Sequence, residues 1–158
     1  MNIKKCRYAL SFLVLSITQS LASEQEEKSG ITFFETLKSS STSWDGTPLP
    51  DYPIGKPEIK MVRVVIPTGE SIALHKHPVI NAGFLIRGKI ELKAENNREL
   101  TLRSGDTIIE LVDQWHSGKS VGIDDAEILL IYLSSGDSPL TIFKDQPPSK
   151  SKLKVERD

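Results

Sequence analysis

Two of the three histidines in the chain lie one residue apart, in the stretch His75-Lys76-His77. Neighbouring side chains on a β-strand alternate between its two faces, so both imidazoles should point one way and Lys76 the other. The third histidine, His116, ends the strand-like run TIIELVDQWH, after a hairpin that could return it over the first pair. Three converging neutral imidazoles would form a site for a divalent first-row metal, with positions left for water or substrate.

All three histidines of the chain would then occupy ligand positions, which random placement would seldom produce. We therefore predict a metal site at His75, His77 and His116, and imidazole ligands suit zinc, iron, nickel and copper. The alternative is that the histidines are ordinary polar residues lining the fold and that no metal binds.

The elements that must position these residues are short strands. From Glu58 onward, runs such as EIKMVRVVIP, KIELKAE and EILLIYLSS are separated by turns that contain Gly or Asn. Seven or eight such strands without an amphipathic helix predict an all-β antiparallel barrel or sandwich over residues 58–143. The polar stretch GKSVGIDDA is interpreted as a connection between strands.

Residues 23–57 are predicted to be an N-terminal arm followed by a loop with several prolines, which should lie along the domain. The apolar Phe33-Phe34 arm and this loop suggest that the chain pairs as a homodimer. Residues 144–158 are charged, contain two adjacent prolines, and are predicted to form a disordered tail.

The first 22 residues are typical of a cleavable signal peptide. A basic start is followed by the apolar run YALSFLVLSI and by Ser20-Leu21-Ala22, which predicts cleavage after Ala22. The mature chain would be periplasmic or secreted, with no membrane segment. It would also lose its only cysteine, Cys6, and keep 17 basic against 21 acidic residues. A mildly acidic domain without a basic stripe predicts no nucleic-acid partner.

The residues also resemble the two signature motifs of the cupin superfamily. Gly69, His75-Lys76-His77, Asn81 and Gly88 match the first motif at its usual intervals, and Gly105 and His116 match the second. More narrowly, the run from Ser43 to His116 resembles small, exported, single-domain bacterial cupins. The resemblance implies a jelly-roll β-barrel, also called a double-stranded β-helix, with a metal held by the histidines.

Departures from the motifs concern the acidic ligand. Asn81 stands where the motif usually has a glutamate, and is interpreted as a weak fourth ligand, a holder of a bound water, or a structural residue. Leu111 and Asp113 replace the proline and glycine of the second motif, and Ser120 replaces its asparagine. Glu110 and Asp113 could supply a general base or a replacement ligand, although an exposed acid at a strand end is the commoner interpretation.

Phe84, Ile86 and Trp115 are predicted to line an apolar pocket near the barrel mouth. Two classes of function remain open. The chain could be an exported binder of a metal and a small molecule, or a metal-dependent dioxygenase, isomerase or decarboxylase. A metal-free ligand-binding or dimeric interaction module is a further alternative. Because fold does not decide function, the site has to discriminate between them.

Overall fold

The strands are arranged as two antiparallel sheets in the computed structural model, which describes residues 32–145. The four-stranded sheet has the order β1-β8-β3-β6, and the five-stranded sheet has the order β5-β4-β7-β2-β9. The prediction of an all-β jelly-roll barrel is confirmed. The strands are β1 (Pro57–Ile66), β2 (Ser71–Lys76), β3 (Ile80–Arg87), β4 (Lys89–Ala94), β5 (Glu99–Arg103), β6 (Thr107–Ile109), β7 (His116–Ser120), β8 (Ala126–Ser135) and β9 (Ile142–Phe143).

The core lies between the two sheets because each strand sends alternate side chains inward. In β4, Ile90 and Leu92 are buried, while Glu91 between them is exposed. They belong to the same buried cluster as Leu85 of β3 and Ile128 of β8. Burying each such side chain contributes about 1.5–3 kcal/mol, so this shared core holds the sheets together.

Strand β3 presents a different face to the core than the sequence suggested. Asn81, Gly83 and Leu85 are buried, whereas Ile86 is 43% exposed. Gly83 accounts for the choice of face, since a Cβ at that position would lie 2.8 Å from Leu130 Cδ2 and 2.9 Å from Ile108 Cγ2. Both faces of β3 carry apolar residues, so hydrophobic alternation alone did not determine which one points inward.

Strand β7 was interpreted in part as a polar connection, and this was wrong. His116 does not end a long strand that starts at Thr107. Strand β6 covers only three residues, and His116 begins β7, which pairs with both β2 and β4. The inward positions of β7 are His116, Gly118 and Ser120, so the strand has no hydrophobic alternation by which sequence could identify it.

The segment before β1 follows the edge of the four-stranded sheet at β6. The Trp44 amide donates to the Ile109 carbonyl at 2.9 Å, and Ser43 Oγ donates to the Glu110 carbonyl at 2.8 Å. These bonds cover the edge that β6 would otherwise expose. Tyr52 and Ile54, further along the loop, are exposed.

The predicted signal peptide, residues 1–22, lies outside the described residues, as does most of the predicted tail. Across residues 32–145, the structure contains no helix of the length and apolarity that a bilayer crossing requires.

Candidate metal centre

The three imidazoles converge at one end of the space between the sheets. His75 of β2 lies directly opposite His116 of β7 in the antiparallel register, and His77 follows at the end of β2. Their ring centroids are 4.4–5.1 Å apart. One ring nitrogen from each residue lies within 4.8 Å of the other two. All three residues are buried, at 6%, 4% and 0% exposure.

Backbone carbonyls orient the three rings. The Nδ1 atoms of His75, His77 and His116 lie 2.7, 2.9 and 2.9 Å from the carbonyl oxygens of Ala73, Leu140 and Gln114. A carbonyl oxygen can only accept, so each Nδ1 carries the proton and donates. Each Nε2 atom therefore carries the free electron pair. Metal-binding histidines adopt this tautomer when their other nitrogen donates a hydrogen bond.

Burial keeps these imidazoles neutral. Desolvation lowers the pKa of His75, lowers that of His77 to about 3 and lowers that of His116 to about 4, and the neighbouring imidazoles add to the shift at His77 and His116. His116 Nε2 is also buried without a hydrogen-bond partner. Three neutral nitrogen donors, one of them an unsatisfied buried atom, fit a divalent cation of the zinc, iron, nickel or copper type.

We expect the metal-free protein to lose stability as the pH falls from 7 to 5. Unfolded histidines take up protons near pH 6.5, while the folded ones resist protonation because their pKa values are lowered, so the unfolded state binds more protons. Glu110 has the opposite effect on stability, because its pKa is raised from 4.5 to about 7 and the folded state therefore binds the extra proton in this range. The three histidines together outweigh this single carboxyl, so the net effect is a loss of stability. Urea unfolding of chelator-treated protein at the two pH values measures this, and a midpoint that is equal or higher at pH 5 contradicts it.

Glu110 is the carboxylate of the site. The interpretation of an exposed strand-end acid was wrong for it, since Glu110 is buried and its Oε2 lies 3.7 Å from His116 Nε2. Burial raises the pKa of this carboxyl to about 7, against a smaller lowering by a hydrogen bond from the Leu111 amide. Oε2 has no hydrogen-bond partner. An acid with a pKa near neutrality beside three metal-binding nitrogens is suited to holding or moving a proton.

Asp113 faces away from the imidazoles. Its side chain is 62% exposed and accepts a hydrogen bond from Lys76 Nζ at 3.0 Å. Lys76 occupies the opposite face of β2 from His75, so this ion pair lies outside the histidine cluster. The structure therefore assigns no role at the site to Asp113, in contrast to the sequence-based suggestion that it could act as base or ligand.

Asn81 is fully buried, and neither polar atom of its side chain has a hydrogen-bond partner. It does not line the cavity that contains the histidines. Its backbone carbonyl accepts a hydrogen bond from the Glu110 amide at 3.1 Å, so the residue at the motif's glutamate position lies beside the carboxylate that does face the cavity.

A cavity of about 170 Å³ extends from the histidines into the core. Its polar end carries the three histidines with Glu110, Tyr132 and Thr141. The rest is apolar, with Phe143 and eight aliphatic side chains: Val64, Ile66, Ile72, Ile90, Leu92, Leu102, Ile128 and Leu130. A larger groove of about 400 Å³ contains no histidine and runs between surface charges of β4 and β5 such as Glu91 and Glu99, so it is not a candidate metal site.

The predicted pocket residues are not among those that line this cavity. Phe84 and Ile86 lie on the outer face of β3, because the inner face at Gly83 has no room for a side chain. The Trp115 ring lies beside Lys76 Nζ and Lys144 Nζ, at 5.5 and 5.6 Å from the ring centroid. Sequence reasoning missed Tyr132, whose ring is 5.5 Å from that of His77. Tyr132 follows Ile128 and Leu130 at every second position of β8. Because residues two apart on a strand share a face, this spacing could have predicted that Tyr132 points inward with them.

A match to a known protein family lies within strands β1 to β8. The family model of the cupin domain matches residues 62–132. Structural similarity was found to the DMSP lyase of Ruegeria pomeroyi DSS-3, with 17% identity, 63% of this chain and 47% of that chain covered, and a TM-score of 0.49. An oxalate oxidase in complex with the substrate analogue glycolate is 21% identical, with 54% of this chain and 46% of that chain covered, and a TM-score of 0.48. The Lactobacillus farciminis oxalate decarboxylase formate complex is 19% identical, with 54% of this chain and 26% of that chain covered, and a TM-score of 0.49.

The matched region covers less than half of each of these solved chains. A search of curated protein sequences found no match.

Proposed function

From the match of residues 62–132 to the cupin domain family, we propose that the chain is an exported protein that binds a divalent transition metal through His75, His77 and His116, with a small-molecule ligand in the adjoining cavity. The observation that carries the proposal is the hydrogen-bonding pattern that the three rings share. Each Nδ1 donates to a backbone carbonyl, which leaves three Nε2 atoms free at the polar end of the cavity.

Burial of the histidines supports metal binding over a purely structural role. Among the described residues, His116 Nε2 is buried without a hydrogen-bond partner, and leaving such an atom unpaired costs free energy in a site with a purely structural role. A bound cation would satisfy the remaining nitrogens and would polarise an oxygen of a ligand placed beside it. The protein's own residues hold the rings in place, keep water out with the aliphatic wall, and set Glu110 next to His116.

The test is element analysis of the mature chain, from residue 23, purified without added metal. We expect one divalent transition metal at up to one ion per chain, or uptake of one equivalent of zinc by the chelator-treated protein. Failure of the folded chain to take up zinc, cobalt, nickel or copper would remove the proposal. Export is tested separately, by the N-terminal sequence of the protein recovered outside the cytoplasm.

Glu110 favours a second candidate function, that of a metal-dependent enzyme with dioxygenase, isomerase or decarboxylase chemistry. A buried carboxyl whose pKa is raised to about 7 can exchange a proton near neutral pH, and it lies 3.7 Å from a candidate ligand atom. A protein that only stores or carries a metal has no need of such a group.

Replacing Glu110 by glutamine should stabilise the metal-free protein at pH 8, because the substitution removes a buried, incompletely paired negative charge. Zinc should reduce or reverse this gain, because the cation stabilises the wild-type carboxylate. Thermal unfolding with and without zinc measures both. Asp113→Asn is the matched control and should change little, since its carboxylate is exposed. If zinc leaves the Glu110→Gln gain unchanged, Glu110 does not interact with the metal.

Pairing of two chains remains part of the proposal, and a surface other than the Phe33-Phe34 arm supports it. The outer face of β1 and β8 exposes Ile59 at 58%, Met61 at 64% and Ile131 at 37%, and β1 is an edge strand of its sheet. Exposed apolar patches of this kind mark interaction surfaces. Sedimentation should give a dimer for the wild type and a monomer for Met61→Asp. A wild-type monomer at micromolar concentration would contradict pairing.

A further inference from the structure

The cavity beside the histidines has two chemically different ends. At one end the free Nε2 atoms and Glu110 provide donors and acceptors, with Phe143 beside His75, and the remaining wall is formed by aliphatic side chains. No lysine or arginine is among the lining residues, and Glu110 is the only carboxyl. A ligand that extends from the histidines therefore enters an apolar space that offers no cation to a negative group.

The volume of the cavity indicates the size of the part of a ligand that it can enclose. Its volume is about 170 Å³. An engineered cavity of about 150 Å³ with a similar wall of leucine, isoleucine and phenylalanine binds benzene. One aromatic ring, or an aliphatic group of the same bulk, fills such a space.

The electrostatics of the wall exclude a charge from the part of a ligand that lies beyond the histidines. A carboxylate placed among Ile72, Ile90 and Leu102 would lose its water without gaining a partner, which is among the most unfavourable transfers in proteins. An uncharged oxygen at the polar end meets no such penalty, because the donors and acceptors there can satisfy it.

We infer that the cavity binds a mostly apolar molecule of about one benzene ring, with a single oxygen at the histidine end and no charge on the part that lies against the apolar wall. The inference rests on the proposed function in one respect, which is that the metal holds this oxygen. The apolar part of the recognition depends on the cavity wall alone.

The test is calorimetric titration of the zinc-loaded mature chain with four probes. Phenol and p-cresol should bind. 4-Hydroxybenzenesulfonate carries a sulfonate, a poor metal ligand, where p-cresol has a methyl group, and should bind at least tenfold more weakly than p-cresol. 2-Naphthol should also bind at least tenfold more weakly than phenol, despite its larger apolar surface, because its second ring exceeds the cavity.

A pair of variants locates the binding site. Val64 lines the cavity, whereas its neighbour Val65 points to the outside of β1 and is exposed. Val64→Phe should fill the cavity and weaken phenol binding at least tenfold, while Val65→Phe should leave it unchanged. Zinc content and thermal unfolding show whether both variants are folded. If Val64→Phe does not fold, Val64→Leu is used and should still weaken p-cresol binding.

The outcomes separate this inference from the proposed function. Binding of 4-hydroxybenzenesulfonate that is equal to or tighter than that of p-cresol, or unchanged phenol binding by the filled-cavity variant, overturns the inferred ligand class while the metal site stands. Absence of zinc uptake overturns the metal site instead. In that case phenol binding to the metal-free chain that is blocked by Val64→Phe still supports an apolar cavity ligand, and its absence overturns the inference as well.

Discussion

Replacing His116 by alanine should lower the affinity for zinc by more than about 100-fold. Loss of a residue that only supports a metal ligand typically costs 10–100-fold, and loss of a ligand itself removes one metal–nitrogen bond outright. His116 is completely buried, and the other two histidines of the chain already belong to the site, so no further histidine can take its place. Competition titration against a chromophoric chelator measures the affinity, and circular dichroism shows that the barrel is retained.

Lys76→Ala is the control for this experiment. Lys76 lies between two of the candidate ligands, but its side chain points to the other face of β2 and pairs with Asp113. Its replacement removes a charge close to the site along the chain without removing a donor. A zinc affinity that falls equally in the two variants, or in neither, would contradict a site formed by the three imidazoles.

Replacing Leu85 by alanine should lower the free energy of unfolding by about 2–5 kcal/mol, the usual range for a fully buried leucine. Leu85 is completely buried on the inner face of β3 and belongs to the core between the sheets. The barrel packs around it, so the truncated side chain leaves a cavity that the neighbouring strands cannot easily close. Urea unfolding of the metal-free proteins at pH 7 measures the loss.

The neighbouring Ile86→Ala variant should cost less than about 1 kcal/mol, because Ile86 is 43% exposed on the opposite face of the same strand. Each variant removes three carbon atoms, from neighbouring residues of β3. The difference between their losses of unfolding free energy therefore shows which face of β3 is buried. Equal losses, or a larger loss for Ile86→Ala, would mean that the inner face is the one first suggested by the sequence.

The predictions that succeeded rest on local, periodic features of the chain. Short strands separated by Gly and Asn turns predicted the all-β class, and the cupin motifs predicted the jelly roll. The His-x-His spacing placed two imidazoles on one face because successive side chains of a strand must alternate. The signal peptide, its cleavage after Ala22, and the domain boundaries remain predictions.

The predictions that failed concern residues whose surroundings come from distant parts of the chain. Glu110 was interpreted as an exposed acid. Ile108 and Ile109 are both apolar, so the sequence does not show which of them points inward. In the structure Ile108 is the buried one, and Glu110 lies on the same face. Phe84 and Ile86 were assigned to the pocket because both faces of β3 are apolar. Strand β7 was missed because its inward side chains are a histidine, a glycine and a serine.

The sequence by itself determined the all-β class, most of the strands, and the three residues that can hold a metal, since periodicity and spacing are properties of the chain. Only the tertiary structure decided which face of each strand is buried, which acid joins the histidines, and what shape and polarity the cavity has. The physical reason is that burial depends on which distant strands pair and then pack together. Gly83 meets Leu130 and Ile108 only when β3 has paired with β8 and β6, and His75 meets His116 only when β2 has paired with β7.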